Sequence, residues 1–245
     1  MIYANKFAYL NFLCYLRGMK VSMKDLFFPH CCPICDNVIE SEQVICDQCL
    51  ADLPRTEQAT MRGNMTEGLF TKEAKFVRGA TFLFFEKDAP VQNLLHKMKY
   101  GMFANPHIGY ALAKEAAYEF MQSDFFDEID VLLPVPLHPK RLRERGFNQA
   151  EWICKGLSDV TGIPMDTTHL TRILNNAHQA QTAGKKRSDN VKNIFAVNHP
   201  EELYKKHVLL VDDIITTGAT LQACIDVLRP IRKCYFSVFG IGKTR

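Results

Sequence analysis

The stretch that decides the fold is His207–Thr220, HVLLVDDIITTGAT, in which an apolar run, two acids and a small-residue turn follow one another. The uninterrupted β-branched and leucine run Val208–Val211 predicts a strand that is buried on both faces of a parallel sheet. Beyond the turn, apolar residues recur at the spacing of one helix face: Leu221, Cys224, Ile225 and Leu228. Pro230 ends this helix. The chain thus leaves a buried strand through a turn and enters a helix.

This turn is suited to bind an anion, because free backbone N–H groups and the positive end of the helix dipole point into it. Threonine hydroxyls add donors, and Gly218 lets the backbone approach a phosphate closely. The carboxylates of Asp212 and Asp213 accept hydrogen bonds from sugar hydroxyls. Acids beside a phosphate cradle indicate a ribose 5-phosphate ligand. The alternative is a plain strand-to-helix turn with two solvated acids.

Composition describes an ordinary globular protein that can build a core. The 245 residues are 47% hydrophobic and 23% charged, with a net charge of +3 and a sequence pI near 8.3. This mild basic bias is not a nucleic-acid signature, so any basic surface must come from clustering. The length allows one large domain or a domain with a small appendage.

The N-terminal residues 1–18 are aromatic and apolar, with Lys6 and Arg17 as their charges. No small-residue cleavage site follows, and the run is too short for a membrane span, so we expect neither a signal peptide nor an integral membrane protein. Two interpretations stay open: an amphipathic helix that docks on the body, or a start codon at Met19 or Met23. We treat residues 1–25 as an extension.

Two Cys-x-x-Cys pairs predict a small metal module over residues 26–55. The predicted ligands are Cys32, Cys35, Cys46 and Cys49, whose four thiolates suit a structural Zn²⁺ ribbon with no open position. A redox pair is the weaker alternative, because two pairs occur in one short stretch. Free thiolate ligands imply a reducing compartment, so we expect a cytoplasmic protein.

A polar connector over residues 56–75 leads to the large domain, residues 76–245. Strands are predicted over 76–86, 129–135, 170–174, 194–197 and 234–241, and helices over 89–98 and 106–121. A solvated helix surface is the simplest interpretation of Lys97 and Lys99. Gly242-Lys243-Thr244 is similar to the end of a Walker P-loop, but Ser237 takes the upstream glycine position and no helix follows.

A basic loop is predicted after the strand that ends near Val135. Its four cations are Lys140, Arg141, Arg143 and Arg145. The carboxyl ends of parallel strands are where α/β sheets bind ligands, so we interpret these cations as an anion site rather than a solvated charge run. Residues 175–193 are polar and contain Gly184 and a Lys-Lys-Arg run. They have the character of an active-site lid, with a disordered surface loop as the alternative.

The stretch at 207–220 resembles the binding motif for phosphoribosyl pyrophosphate (PRPP) of type I phosphoribosyltransferases. The resemblance implies that Asp212 and Asp213 hold the ribose hydroxyls and are the catalytic acids. It implies that the turn holds the 5′-phosphate through Ile215, Thr216, Thr217, Gly218, Ala219 and Thr220. The fold it implies is an α/β parallel sheet with flanking helices, preceded here by the zinc ribbon.

The whole pattern is similar to the ComF family, a zinc ribbon fused to a phosphoribosyltransferase domain. The match runs from about Leu26 to Phe239 and includes Phe28-Pro29, the cysteines, Lys97-x-Lys99-Tyr100, Pro134–His138 and the string Arg145-Gly-Phe-Asn-Gln149. The lid matches through Arg172, Gln179, Arg187, Asn190 and Phe195, but Thr182-Ala183 replaces the usual Leu-Ser. The PRPP ligands implied outside the motif are His138, Arg141, Arg143, Arg145, Gln179 and Arg187.

The family's role implies natural transformation: competence, DNA uptake and the handling of single-stranded DNA at the cytoplasmic face of the membrane. The leading hypothesis is a Mg²⁺-dependent, PRPP-binding phosphoribosyltransferase whose acceptor is unknown. The mechanism needs cations with Mg²⁺, because pyrophosphate leaves C1 of the ribose through an oxocarbenium-like state. The alternative is a non-catalytic single-stranded DNA-binding or PRPP-sensing protein. Thr216 stands where 6-oxopurine salvage enzymes carry an acid, which disfavours hypoxanthine and guanine.

Overall fold

The computed structural model describes residues 29–85, 90–99, 104–173 and 194–244. The chain divides into two compact units, Met1–Asp52 and Leu53–Arg245, which we describe separately. The predicted extension over residues 1–25 and the predicted lid over 175–193 lie outside the described residues.

Within its described residues, 29–52, the first unit contains a short antiparallel bridge between Cys31 and Val38 and the helix α1 (Asp47–Ala51). Cys46 caps this helix, since its Sγ accepts a hydrogen bond from the backbone N–H of Cys49 at 3.5 Å. Each of the two knuckles thus has a local backbone feature that presents its cysteines, a bridge for the first and a helix N-terminus for the second.

The second unit is an α/β fold. Its strands are β1 (Phe76–Phe85), β2 (Val131–Pro134), β3 (Leu170–Arg172), β4 (Phe195–Val197), β5 (His207–Ile215) and β6 (Tyr235–Thr244). Its α-helices are α2 (Pro90–Lys99), α3 (His107–Phe120), α4 (Pro139–Arg145), α5 (Gln149–Thr161) and α6 (Ala219–Leu228). Short 3₁₀ helices cover Glu67–Leu69 and Pro200–Leu203.

Four strands form a parallel sheet in the order β1-β6-β5-β2. Backbone bonds between Leu132 and residues 164–166 extend this sheet beyond β2. Because all four strands run the same way, their carboxyl ends meet at one edge, where an α/β fold binds ligands. The predicted parallel sheet with flanking helices is therefore what the chain forms.

The stretch Val208–Val211 is fully buried in β5, as its apolar run predicts. One face of the sheet packs against the predicted apolar side of α6, which includes Leu221 and Leu228. The opposite face carries Phe239 of β6, whose ring packs edge-on against Phe120 of α3 at a centroid distance of 5.6 Å. Burial on both faces explains why this strand has no polar alternation before Asp212.

Residues 56–75, predicted as a connector, lie within the second unit and carry buried polar groups. The side-chain oxygen Oε1 of Gln58 accepts hydrogen bonds from the Thr66 hydroxyl at 2.8 Å and from the Thr81 backbone N–H at 3.0 Å. Phe70 is also buried, and its ring lies 5.2 Å from that of Phe76. The polar composition of this segment thus reflects internal hydrogen bonding as well as contact with water.

One local expectation differs from the structure, and two features were not anticipated from the sequence. The cations at 140–145 lie on helix α4 rather than on a loop, because Pro139 occupies the first turn and the His138 ring caps it. Helix α5 was not predicted. Strands β3 and β4 pair with each other in a separate antiparallel sheet instead of joining the parallel one.

Across the part of the chain that the structure describes, every helix is too short or too polar to cross a bilayer.

Candidate functional site

The two acids of the deciding stretch lie at the carboxyl end of β5. Side chains alternate between the faces of a strand, so Asp212 and Asp213 meet different partners. Asp213 forms an ion pair with Lys99 at the end of α2, with Nζ and Oδ2 2.8 Å apart and both side chains about five-sixths buried. Asp212 interacts electrostatically with Arg172 of β3 and lies near the buried thiol of Cys224 on α6.

The carboxyl group of Asp212 is partly protonated near neutral pH. Desolvation raises its pKa, the neighbouring charge of Asp213 raises it further, and the result is a pKa of about 7. A hydrogen bond from the Asp213 backbone N–H to Asp212 Oδ1, at 2.8 Å, and the charges of Lys99 and Arg172 act in the opposite direction. The pair therefore consists of one carboxylate held by a lysine and one group that exchanges a proton.

The turn after β5 leads directly into α6. Gly218 is the N-cap of that helix and has φ = 75°, in the left-handed region that favours glycine. A Cβ at this position would lie 3.0 Å from Phe70 and 3.3 Å from Leu69, so there is also no room for a side chain next to the 3₁₀ helix Glu67–Leu69. The Thr217 hydroxyl accepts a hydrogen bond from the Ala219 backbone N–H at 3.4 Å. Thr216 and Thr220 are exposed at the turn.

The carbonyl oxygen of Thr216 accepts a hydrogen bond from Nζ of Lys243, at 2.8 Å. Lys243 belongs to β6 and is paired in register with Ile215, the last residue of β5. The Gly-Lys-Thr sequence is not part of a P-loop, but its lysine contacts the turn that is predicted to hold the 5′-phosphate.

The predicted pyrophosphate cations lie on α4, which follows β2 at the same edge of the sheet. His138 caps the helix, since its Nδ1 accepts a hydrogen bond from the Lys140 backbone N–H at 3.1 Å. Arg141 and Arg143 are exposed, and neither forms an ion pair with another described residue. Arg145 donates a hydrogen bond to the side-chain oxygen of Gln149, which is buried.

The string Arg145–Gln149 builds the turn between α4 and α5. Gly146 ends α4 with φ = 82°, and Asn148 caps α5 by accepting from the Ala150 backbone N–H at 3.2 Å. The Asn148 amide also donates to the Val135 carbonyl oxygen at 3.1 Å. The string that is most specific for the family therefore anchors the cationic helix to the strand before it.

Arg172, which the resemblance includes without a role, is a further cation beside the acids. Its guanidinium lies over the Phe195 ring, 5.4 Å from the centroid. Burial lowers its pKa, and so does the charge of Arg141, while Cys224 and Asp212 raise it. Its Nε is buried without a hydrogen-bond partner among the described residues.

The structure thus brings the acids, the turn and the cationic helix to one edge, but it does not cover every predicted ligand. Gln179 and Arg187 lie outside the described residues. Lys99, Arg172 and Lys243 were not predicted as ligands, because each comes from a segment remote from the motif in sequence. The Lys97-x-Lys99 pattern was a usable signal for the first of them.

The four predicted metal ligands meet in the first unit. The Sγ atoms of Cys32, Cys35, Cys46 and Cys49 all lie within 4.8 Å of one another, which is compatible with tetrahedral Zn²⁺. Burial alone raises the Cys32 pKa, but hydrogen bonds from the backbone of residues 34, 35 and 46 outweigh it and lower the pKa to about 6. The pKa values of Cys46 and Cys49 are raised instead, that of Cys49 by desolvation and by the neighbouring cysteines. Thiolate character, which a metal ligand requires, is therefore favoured at Cys32. Cys31 is exposed and outside the cluster.

Residues 100–236 match the family model of the phosphoribosyl transferase domain. The chain belongs to this family. The match covers more than half of the chain and includes both acids, the turn and α4. With the cysteine cluster it confirms the predicted resemblance, a phosphoribosyl transferase domain preceded by a candidate zinc ribbon.

Three similar curated proteins carry names that refer to DNA utilization or to competence. The DNA utilization protein YhgH of Escherichia coli strain K12 is 26% identical over 219 residues, which are 88% of this chain and 90% of the relative. Its counterpart in Shigella flexneri matches to the same extent. Competence protein F of Haemophilus influenzae is 35% identical over 116 residues, 46% of this chain and 50% of that protein.

Solved structures of phosphoribosyltransferases also match. Glutamine PRPP amidotransferase from B. subtilis, complexed with ADP and GMP, is 18% identical with a TM-score of 0.37. The match covers 59% of this chain and 30% of that chain.

Proposed function

We propose that this protein binds PRPP with Mg²⁺ at the carboxyl edge of the sheet, as a phosphoribosyltransferase that serves DNA uptake or utilisation. One observation carries the proposal. Two adjacent acids lie near the end of the buried strand β5, which leads through the Gly218 turn into the ten-residue helix α6. Acids for a ribose and an N-terminus for its 5′-phosphate thereby lie within one continuous stretch.

The roles of the other residues follow from their places at this edge. Arg141 and Arg143 extend from α4 and form no ion pair with another described residue, and Arg172 lies beside Asp212. These guanidinium groups are suited to take up the negative charge that develops as pyrophosphate leaves C1 of the ribose. Carboxylates and substrate phosphates are the ligands Mg²⁺ prefers, so Asp212 and Asp213 fit a magnesium site, where the ion would neutralise the leaving group.

The acceptor that replaces pyrophosphate is not a 6-oxopurine in this proposal. Thr216 offers a hydroxyl where the salvage enzymes carry a carboxylate, and a hydroxyl is a poor general base at neutral pH. We expect no release of pyrophosphate from PRPP when hypoxanthine or guanine is added. Robust turnover with either base would contradict this assignment.

Calorimetric titration of Mg²⁺ and PRPP into the purified protein tests the proposal. The parent is expected to bind, and Asp212→Ala/Asp213→Ala is expected to lose binding. Glu201→Ala/Glu202→Ala is the matched control, because it removes two adjacent exposed acids from the segment that precedes β5 at its opposite end. Absence of binding by the parent, or equal loss in both double variants, would contradict a ribose role for the acids.

A second candidate function, single-stranded DNA binding, is favoured by the exposed cations of α4 and by the names of the relatives. A phosphate backbone releases counterions from each contact, so binding weakens as salt rises. If Arg143 contacts DNA, Arg143→Glu should reduce the slope of log affinity against log salt by about one. Arg232→Glu, an exposed arginine before β6, is the control. An unchanged slope in Arg143→Glu would remove α4 from a DNA interface.

A cytoplasmic location is part of the proposal, because a reducing compartment keeps four clustered cysteines available as metal ligands rather than as disulfides.

A further inference from the structure

Lys243 is a buried lysine at the edge of the sheet where the phosphate turn begins. It is 5% exposed and lies on β6, between β1 and β5, opposite Phe84 on one side and Ile215 on the other. Its Nζ donates to the carbonyl oxygen of Thr216, the first residue of the turn, at 2.8 Å. A lysine 27 residues away in sequence therefore contacts the backbone of the predicted 5′-phosphate site.

The charge of this lysine is not balanced within the described residues. None of their carboxylates lies within ion-pair distance of Lys243, and desolvation lowers the pKa of its ammonium. Burying an ammonium is unfavourable unless an opposite charge compensates it, so unpaired buried lysines are rare in positions that only need packing. An anion bound in the adjacent turn would supply the opposite charge.

The hydrogen bond also determines how the turn faces its ligand. In a trans peptide unit the carbonyl group and the N–H group point in opposite directions. A donor that holds the Thr216 carbonyl oxygen on the β6 side therefore turns the Thr217 N–H away from β6. This N–H is one of the backbone donors available in the turn before α6.

We propose that Lys243 is a positioning residue for the 5′-phosphate: it orients the Thr216–Thr217 peptide and places a positive charge behind the turn. The inference rests on the proposed function and deepens it by adding a residue outside the motif. Lys243 is not the lysine of a P-loop, since it lies within a strand and contacts the backbone of the turn from the neighbouring strand β6.

The test separates the two ends of the ligand. Affinities of the parent and of Lys243→Met are measured for ribose 5-phosphate, for magnesium pyrophosphate and for PRPP with Mg²⁺. We expect the variant to lose about tenfold or more in affinity for ribose 5-phosphate and PRPP, the size of one charge-assisted contact, and to bind pyrophosphate like the parent. Lys243→Gln keeps a donor without the charge and is expected to recover part of the loss.

Lys75→Met is the matched control, because Lys75 also donates to backbone carbonyl oxygens, of Arg229 and Ile231, at 2.8 and 2.7 Å. It is expected to affect stability but not the affinity for ribose 5-phosphate. Unchanged affinity for ribose 5-phosphate in Lys243→Met and Lys243→Gln, or an equal loss of affinity for pyrophosphate, overturns the positioning role. Neither result contradicts the proposed binding of PRPP. A parent that binds neither PRPP nor ribose 5-phosphate overturns the proposed function itself.

Discussion

At the scale of single residues, the two adjacent acids Asp212 and Asp213 have different electrostatic environments. Lys99 neutralises Asp213 at 2.8 Å, whereas Asp212 is desolvated and next to that carboxylate. Two like charges at neighbouring positions rarely both ionise in a partly buried site. We expect Asp212 to take up or release a proton near neutral pH, while Asp213 is held in its ion pair with Lys99.

The first prediction concerns the pH dependence of folding stability. The pKa of Asp212 rises from 3.8 in the unfolded chain to about 7 in the folded one. Its protonated form is therefore favoured by folding at low pH, and the parent loses that stability as the pH rises from about 4 to about 7. Asp212→Asn removes this titration. The free energy of unfolding of the variant minus that of the parent should therefore increase from about pH 4 to about pH 7 and stay constant above it.

Urea unfolding of both proteins at pH 5, 6, 7 and 8 checks this prediction. Lys99→Met is the companion variant, since loss of the lysine charge raises the pKa of Asp212 further and should move the plateau to higher pH. A constant difference between parent and Asp212→Asn over the whole range would show that Asp212 ionises normally.

The second prediction concerns Gly218. Gly218→Ala places a Cβ at φ = 75° and 3.0 Å from the Phe70 ring, so both strain and a close contact disturb the turn. We expect a loss of about 1–3 kcal/mol in the free energy of unfolding and a weaker affinity for PRPP. Gly162→Ala is the control, because its φ is also 75° but the space around it is open. Equal effects of both variants on PRPP affinity would contradict a local role.

At the scale of elements, the cationic helix α4 shows why a run of charged residues does not predict its own secondary structure. Lys140–Arg145 reads as a polar loop because it has few apolar residues, yet Pro139 and the His138 cap start a helix there. Gly146 ends it and Asn148 starts the next one. The cations thus extend from a helix of fixed direction, and Arg145 is directed to the Gln149 side chain.

The third prediction concerns the cysteine module. We expect the purified protein to contain about one zinc ion per chain, and Cys46→Ser to lose it, because four thiolates fill a tetrahedral site. Cys31→Ser is the matched control, since this exposed cysteine lies outside the cluster. Metal analysis by mass spectrometry measures both. Loss of zinc from Cys31→Ser, or its retention in Cys46→Ser, would contradict the ligand assignment.

At the scale of the second unit, the sheet is held from both sides, with α6 on one face and aromatic packing against α3 on the other. Phe120 of α3 is fully buried, and its ring contacts those of Phe82, Phe125 and Phe239 at centroid distances of 6.4, 5.0 and 5.6 Å. This cluster packs against the α3-facing side of β6, the strand that contains Lys243 near its carboxyl end.

The fourth prediction follows from this packing. Phe120→Ala should lower the free energy of unfolding by about 3–5 kcal/mol, because it leaves a cavity between α3 and the sheet. Tyr118→Ala on the same helix is the control: Tyr118 is 55% exposed, so its truncation should change stability by less than about 0.5 kcal/mol. Chemical denaturation measures both. A small effect of Phe120→Ala would indicate that α3 contributes little to the fold.

The sequence by itself determined the parts of this protein that depend on neighbours along the chain. The apolar run, the acids and the turn of 207–220 lie within fourteen positions, and the cysteine pairs repeat a two-residue spacing, so local pattern predicted both the sheet and the metal cluster. The connector was harder, because Gln58 and Thr66 are polar in composition but buried in the fold.

Only the tertiary structure decided which remote side chains meet the motif. Lys99, Arg172 and Lys243 come from a helix end and two separate strands, and their sequence distances from Asp212 carry no signal of contact. Parallel pairing brings Lys243 beside Ile215, and strand alternation assigns Lys99 and Arg172 to different acids. The proposed ligand type follows from local chemistry, whereas the charges around the proposed site follow from strand order and register, which only packing determines.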